Sequence, residues 1–199
     1  MLQKVNEQNE QAIIKRPPPQ LQRGEGAKIV FSGVIFKIWQ WEQELYDGSK
    51  AIYEGLSRND TVTILAITED QKLIMTKQSQ PGSREFWSFP GGIQDAGESV
   101  LQASKRELLE ETGHVSDAWF FLFAEQFSGK IDWANFYLVA KNCKLVAKQH
   151  LDAGEKITLE LFDFKQLDKL IKTQNFRQKD FVIWYLRGGR EKMQEILGM

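Results

Sequence analysis

Apolar residues recur along this chain in two rhythms. "KIVFSGVIFKIWQW" from Lys28 and "AIYEGL" from Ala51 are β-branched and aromatic with polar residues interleaved, the texture of strands with one covered face. Between them "YDGS", Tyr46 to Ser49, predicts a tight turn. "TVTILAIT" and "KLIMTKQSQ" flank "EDQ" and read as a second hairpin; "AWFFLFAEQF" and "WANFYLVAKN" read as a further antiparallel pair, and "EKITLELFDF" as one more strand. A helical rhythm replaces the alternation in three places: Ser99 to Thr112, Phe164 to Thr173, and Lys179 to Arg187 with an extension through "REKMQEILG". Strands and helices follow one another without a regular βαβ period, which predicts a mixed α/β (α+β) domain rather than a doubly wound sheet.

The first 26 residues break the pattern. They are polar and Gln-rich, and Pro17, Pro18 and Pro19 oppose regular helix or inner strand, so residues 1–26 are expected to be a flexible arm outside the fold. Residues 27–58 then form an N-terminal β extension, and 59–199 the main domain. With 199 residues there is room for a substantial core. A formal net charge of −1 argues against a nucleic-acid footprint or a polybasic membrane surface. No apolar run reaches signal-peptide or membrane-spanning length. The single cysteine, Cys143, cannot form an internal disulfide and suits a reducing compartment, so a cytoplasmic location is expected.

The candidate chemistry lies in "FPGGIQDAGESVLQASKRELLEETGH". Glu107, Glu110 and Glu111 fall at i, i+3 and i+4 on one helical face, where like charges cost about 0.2–0.5 kcal/mol per pair. A solvated face softened by Lys105 and Arg106 is the plain reading, and a divalent cation the sharper one. The flanks favour the cation. Pro90, Gly91, Gly92 and Gly97 make a loop whose backbone can approach a ligand closely. Ser99 stands where an N-cap belongs, Val100, Leu101, Ala103, Leu108 and Leu109 supply an apolar face, and Gly113 ends the helix.

Read as spacing, the pattern is Gly92, five residues, Glu98, seven residues, Arg106-Glu107-Leu108, one residue, Glu110-Glu111, one residue, Gly113. It resembles the signature box of the Nudix hydrolases, with His114 at a position that is usually aliphatic. The resemblance implies an α/β/α sandwich around a mixed sheet. It also implies a Mg²⁺ site (Mn²⁺ in its place) built from Glu107, Glu110, Glu111 and the Gly91 carbonyl, with Glu98 and Arg106 as a structural pair.

Beyond the box, residues from about 28 to 188 are similar in layout to the ADP-ribose and nucleotide-sugar pyrophosphatase branch. That similarity implies a homodimer formed through the N-terminal strands, and an acidic residue on a late loop that can activate water, where Glu155 stands with Asp152 beside it. A solvated turn is the plainer reading of "LDAGEK". Members that take ADP-ribose commonly carry a Gln-aromatic-Arg run before the box loop. Gln80-Pro81 stands there instead, and Arg84 is the substitute the chain offers. Trp41 and Trp87 are candidates to stack on a base, against a plainer role in packing. The implied activity is hydrolysis of a nucleoside diphosphate derivative, ADP-ribose or a nucleotide sugar, to a nucleoside monophosphate and a sugar phosphate. Alternatives are a family member acting on nucleoside triphosphates or dinucleotides, and a binding module without catalysis.

Overall fold

The computed structural model describes residues 2–198. Its strands are β1 (Gln3–Val5), β2 (Lys28–Ser32), β3 (Lys37–Glu44), β4 (Lys50–Ser57), β5 (Thr61–Thr68), β6 (Leu73–Ser79), β7 (Phe86–Ser88), β8 (His114–Val115), β9 (Ala118–Ser128), β10 (Ile131–Leu145) and β11 (Lys156–Phe162). The helices are α1 (Glu10–Ile13), α2 (Val100–Thr112), α3 (Phe164–Ile171), α4 (Lys179–Trp184) and α5 (Arg190–Ile196). A mixed sheet runs β11-β6-β5-β10-β4-β3-β2, with β9 and then β1 continuing from β10 on a second path.

β5 explains the layering. Residues 62–68 are all buried, so this strand needs cover on both faces. Val62, Ile64 and Ala66 join Phe136, Leu138 and Ala140 of β10 in a core beneath α2. Leu65 and Ile67 join Tyr137 and Val139 in a second core that α3, α4 and α5 close with Leu167, Phe181 and Met193. Period two on one pair of strands thus feeds two cores, and the molecule is an α/β/α sandwich. Each fully buried Leu, Ile or Phe contributes about 1.5–3 kcal/mol.

Three expectations change in detail. The "EDQ" hairpin joins β5 to β6, but only Ile67 and Leu73 pair there. Above that point β5 leaves to lie parallel to β10, while β6 pairs antiparallel with β11. The C-terminal helix divides at Tyr185–Gly189, where Gly188 at φ +112° interrupts the helical path.

The largest change is at the N-terminus. Residues 3–24 lie against the body instead of standing outside the fold. β1 pairs with β9, and Val5 and Ile14 are buried in the α2-side core. Arg16 bridges Asp60 and Asp132 at 2.6 Å each, Gln126 donates to the Pro17 carbonyl, and Arg23 reaches Asp132 at 2.7 Å. Polar composition suggested an arm because the partners of these side chains lie tens of residues away in sequence. Among the described residues no helix is long and apolar enough to cross a membrane.

Candidate active site

α2 carries the acidic side chains, and its ends are built by local chemistry. The Ser99 hydroxyl accepts from Gln102 N–H while the Gln102 side chain accepts from Ser99 N–H, a reciprocal capping box. Gly113 at φ +71° closes the other end in the left-handed conformation. The buried positions are Val100, Leu101, Ala103, Ser104, Leu108, Glu111 and Thr112. Leu109, expected to face the sheet, is 38% exposed, and Glu111 takes an inward place at 4% exposure. The helix is rotated towards its acidic side relative to the apolar reading.

The glycine loop meets that face. Val62 and Ile64 N–H groups donate to the Gly92 and Pro90 carbonyls, so the loop runs beside β5. Gly91, at φ +148°, donates its N–H to Glu111 Oε2 at 2.9 Å, and a Cβ on it would run into the Val62 carbonyl. A Cβ on Gly92 would collide with the Glu107 carboxylate. The two glycines therefore let the loop touch both glutamates. The Gly91 carbonyl takes no part in the ladder with β5 formed by its neighbours.

Arg106 organises the remaining acids. Its Nε and Nη2 grip both Glu98 oxygens at 3.0 and 2.9 Å, and Nη2 also donates to the Ile93 carbonyl at 2.9 Å. Nη1 reaches Glu107 at 2.8 Å and Glu110 at 3.1 Å. Through Arg106 the Glu98 carboxyl is held below its usual range. Burial pushes Glu107 up to about 7 against the pull of Arg106, with Glu110 and Glu155 pushing the same way. Burial raises Glu111 well above its ordinary value; the Gly91 N–H opposes this, and Glu107 and Glu155 add to it.

Glu155 thus lies within the electrostatic reach of two box glutamates although more than forty residues separate them. The connection after β10 brings it there. Val146 and Ala147 N–H groups donate to Gly113, His150 N–H donates to the Glu110 carbonyl at 2.8 Å, and the Gln149 side chain caps the Glu111 carbonyl. Glu155 closes a turn onto the Asp152 carbonyl at 2.9 Å. Among the described residues no group of three Asp, Glu, His or Cys side chains is gathered as a metal cage, and Arg106 holds Glu107 and Glu110 by hydrogen bonds.

The tentative substrate contacts fare differently. Trp41 is 3% exposed, packed under Gly24 and Gly55, and so is not open for stacking within this chain. The Trp87 ring lies against Phe162 at 5.0 Å, in a packing role. Arg84 is exposed on the loop before β7. Three residues at or near the site escaped sequence reasoning. Buried Gln78 donates to Glu111 at 3.3 Å, and its only signal was a polar residue in an apolar strand phase. Arg58 and Arg177, near the box loop, carry no local signal at all.

A model of the NUDIX domain matches residues 57–185. The chain belongs to the NUDIX family. The ADP-ribose pyrophosphatase of Bacillus subtilis (strain 168) is 27% identical over 150 residues, 73% of this chain and 80% of that protein. The ADP compounds hydrolase NudE of Escherichia coli (strain K12) is 31% identical over 91 residues, 44% of this chain and 48% of its own length. In fold, the chain is similar to the crystal structure of an ADP compounds hydrolase, with a TM-score of 0.67 at 22% identity, covering 83% of this chain and 95% of that one. The NUDIX match and these relatives make the protein a hydrolase of that family.

Proposed function

We propose that this NUDIX hydrolase cleaves the diphosphate of ADP-ribose or a related nucleoside diphosphate sugar, releasing a nucleoside monophosphate and a sugar phosphate. The observation that carries the reading is the glycine loop closing on the acidic helix, with the Gly91 N–H donating to Glu111 and Gly92 set against the Glu107 carboxylate, while Glu155 adds its negative charge to the field at both glutamates. The names of the two relatives support the substrate class.

The donor set suits a hard cation. Glu111 is buried and Glu107 largely covered; burial raises the proton affinity of both, and the Glu107 charge raises that of Glu111 further, a cost that a cation would remove. Glu107, Glu110, Glu111 and the Gly91 carbonyl would hold Mg²⁺, or Mn²⁺ in its place, which supplies neutralisation of phosphate charge and a more acidic bound water. Cation binding would replace the Arg106 contacts of Glu107 and Glu110, and Arg106 would still have its two-point hold on Glu98.

Glu155 is the general base in this reading. The water oxygen bonds to phosphorus, the bridging P–O bond breaks with its electron pair on the leaving phosphate, and the water proton passes to the Glu155 carboxylate. The extension is read as a dimer surface: Ile29, Val30, Phe31, Val34, Ile35 and Ile52 are 46 to 105% exposed along β2 to β4, and β2 ends the sheet.

The test is product analysis with Mg²⁺, with Mn²⁺ and with EDTA against ADP-ribose, GDP-mannose, UDP-glucose, NADH and nucleoside triphosphates. An EDTA-sensitive yield of monophosphate plus sugar phosphate from the first three is expected. Cleavage confined to triphosphates would replace the substrate assignment, and no cleavage at all would end it.

A further inference from the structure

One buried carboxylate stands outside the chemistry described so far. Glu10, 8% exposed, forms no ion pair among the described residues; its oxygens accept from the Leu101 N–H at 2.7 Å and the Ser99 hydroxyl at 2.8 Å. Yet α2 already has its own reciprocal cap at Ser99 and Gln102. A lone buried carboxylate costs more desolvation than a second cap on a capped helix offsets. The segment that carries Glu10 is itself fixed. Val5 and Ile14 are buried in the core beneath α2. Between them Asn6 Oδ1 accepts from the Gln8 and Asn9 N–H groups at 2.9 and 3.0 Å, and Asn9 Oδ1 accepts from the Asn6 N–H at 2.8 Å. That turn sets Glu10 against the helix from outside.

The contacts fall on one flank of α2. Leu101, Lys105 and Leu108 stand at i, i+4 and i+7; Ala103, Glu107 and Glu110 repeat that spacing on the other flank, with Val100, Ser104 and Glu111 between. Glu10 holds the Leu101 N–H, and Glu7 accepts from Lys105 Nζ at 3.0 Å, an exposed pair that adds little. A roll of α2 that covered Leu109 would turn Glu111 towards solvent and draw the Leu101 N–H off Glu10. The observed exposures, 38% and 4%, show the opposite roll in place. Arg16 seats the loop before the helix. Its guanidinium grips both Asp60 oxygens at 2.6 and 3.0 Å, the Asp60 carbonyl accepts from the Gln94 N–H at 2.9 Å, and the Gln94 side chain donates to the Glu98 carbonyl at 2.5 Å. Glu98 is the acid that Arg106 holds at two points.

We infer that residues 7–16 form a positioning strap for the cation-binding face of α2, with Glu10 setting the roll of the helix and Arg16 the seat of its leading loop. The inference rests on the cation reading of Glu107, Glu110 and Glu111. Glu10 and Arg16 are positioning residues: each acts through the backbone it holds. Mg²⁺ demands near-ideal octahedral geometry, so a small roll of α2 lowers cation affinity while the fold persists.

Calorimetric titration of the full chain with Mn²⁺, without substrate, reads the strap apart from turnover. Glu10→Ala is expected to weaken Mn²⁺ about tenfold, the lower end for lost outer-shell support, with an unchanged circular dichroism spectrum at the titration temperature. Glu10→Gln keeps an acceptor for the Leu101 N–H and a partner for Ser99, so it should restore most of that affinity. An equal loss in both variants would assign the effect to the Glu10 charge and overturn the strap. Arg16→Met probes the other end and should weaken Mn²⁺ in the same direction, whether or not Glu10→Ala folds. Glu195→Gln, in an exposed pair on α5, serves as the comparison. With ADP-ribose, Glu10→Ala and Arg16→Met should need more Mg²⁺ for half-maximal rate, with KM at saturating Mg²⁺ near that of the wild type. Wild-type Mn²⁺ affinity in both variants would overturn the strap alone. Mn²⁺ binding by the wild type without cleavage of any nucleotide sugar would leave the strap standing and remove the hydrolytic reading. No Mn²⁺ binding at all would end the cation reading and the strap with it.

Discussion

Glu111 combines two properties that rarely coexist: it is a carboxylate and it is 4% exposed. Its hydrogen bonds, from the Gly91 N–H and the Gln78 amide, hold the oxygens towards the glycine loop. Glu111→Gln keeps an acceptor for Gly91 and removes the charge. Turnover with Mg²⁺ is therefore expected to fall by more than about 100-fold, beyond what outer-shell partners are worth, with an unchanged circular dichroism spectrum. Activity near wild type would dismiss Glu111 as a cation ligand. Glu155→Gln should instead slow kcat while Mg²⁺ affinity stays close to wild type, since its turn is held by the Asp152 carbonyl and not by the box. Steady-state rates across a Mg²⁺ series separate the two outcomes.

At the scale of elements, α2 receives a cap from outside itself. The Glu10 carboxylate, 8% exposed, accepts from the Leu101 N–H at 2.7 Å and from the Ser99 hydroxyl at 2.8 Å. An anion at a helix N-terminus satisfies free N–H groups and complements the helix dipole. Glu10→Ala is expected to cost about 0.5–2 kcal/mol in denaturant unfolding, the range for lost N-caps. A loss near zero would make the N-terminal segment dispensable to α2. At the other end of the molecule Asp168 on α3 accepts from Lys172 and Tyr185 at 2.8 Å and from Arg190 at 3.0 Å, tying α3 to the C-terminal helices. Lys172, followed by Tyr185 and Arg190, holds the Asp168 carboxyl well below the ordinary range. A depressed carboxylate stabilises the fold above its unfolded pKa, near ~3.9, and loses that contribution as pH falls towards its folded value. Asp168→Asn should thus lower the melting temperature at pH 7, with a gap that narrows below about pH 4. A gap independent of pH would leave the ion pairs without a role in stability.

For the whole molecule, the exposed apolar residues of β2 to β4 lead to an expected dimer mass in light scattering, and Phe31→Lys is expected to shift it towards monomer. A monomeric wild type would return that surface to the category of ordinary exposed edge.

Much of the architecture was legible along the chain, because its information is local. The box spacing needs one helix, and the caps at Ser99 and Gly113 need only their neighbours within four residues. Runs of β-branched and aromatic residues bounded by turns marked β3 to β6 and β9 to β11, a signal that holds whatever the partner strand. The features that escaped are those whose partners are remote. The inward place of Glu111, the arrival of Glu155, the N-terminal clasp of Glu10 and Arg16, and the stacking of Arg58 on Trp133 and of Arg177 on Phe86 all arise from contacts spanning tens of residues. Their energies enter once the sandwich has closed, so no run of neighbouring residues encodes them. Family, helix and glycine loop could be read from order alone; the assembly of charges around them follows from folding in three dimensions.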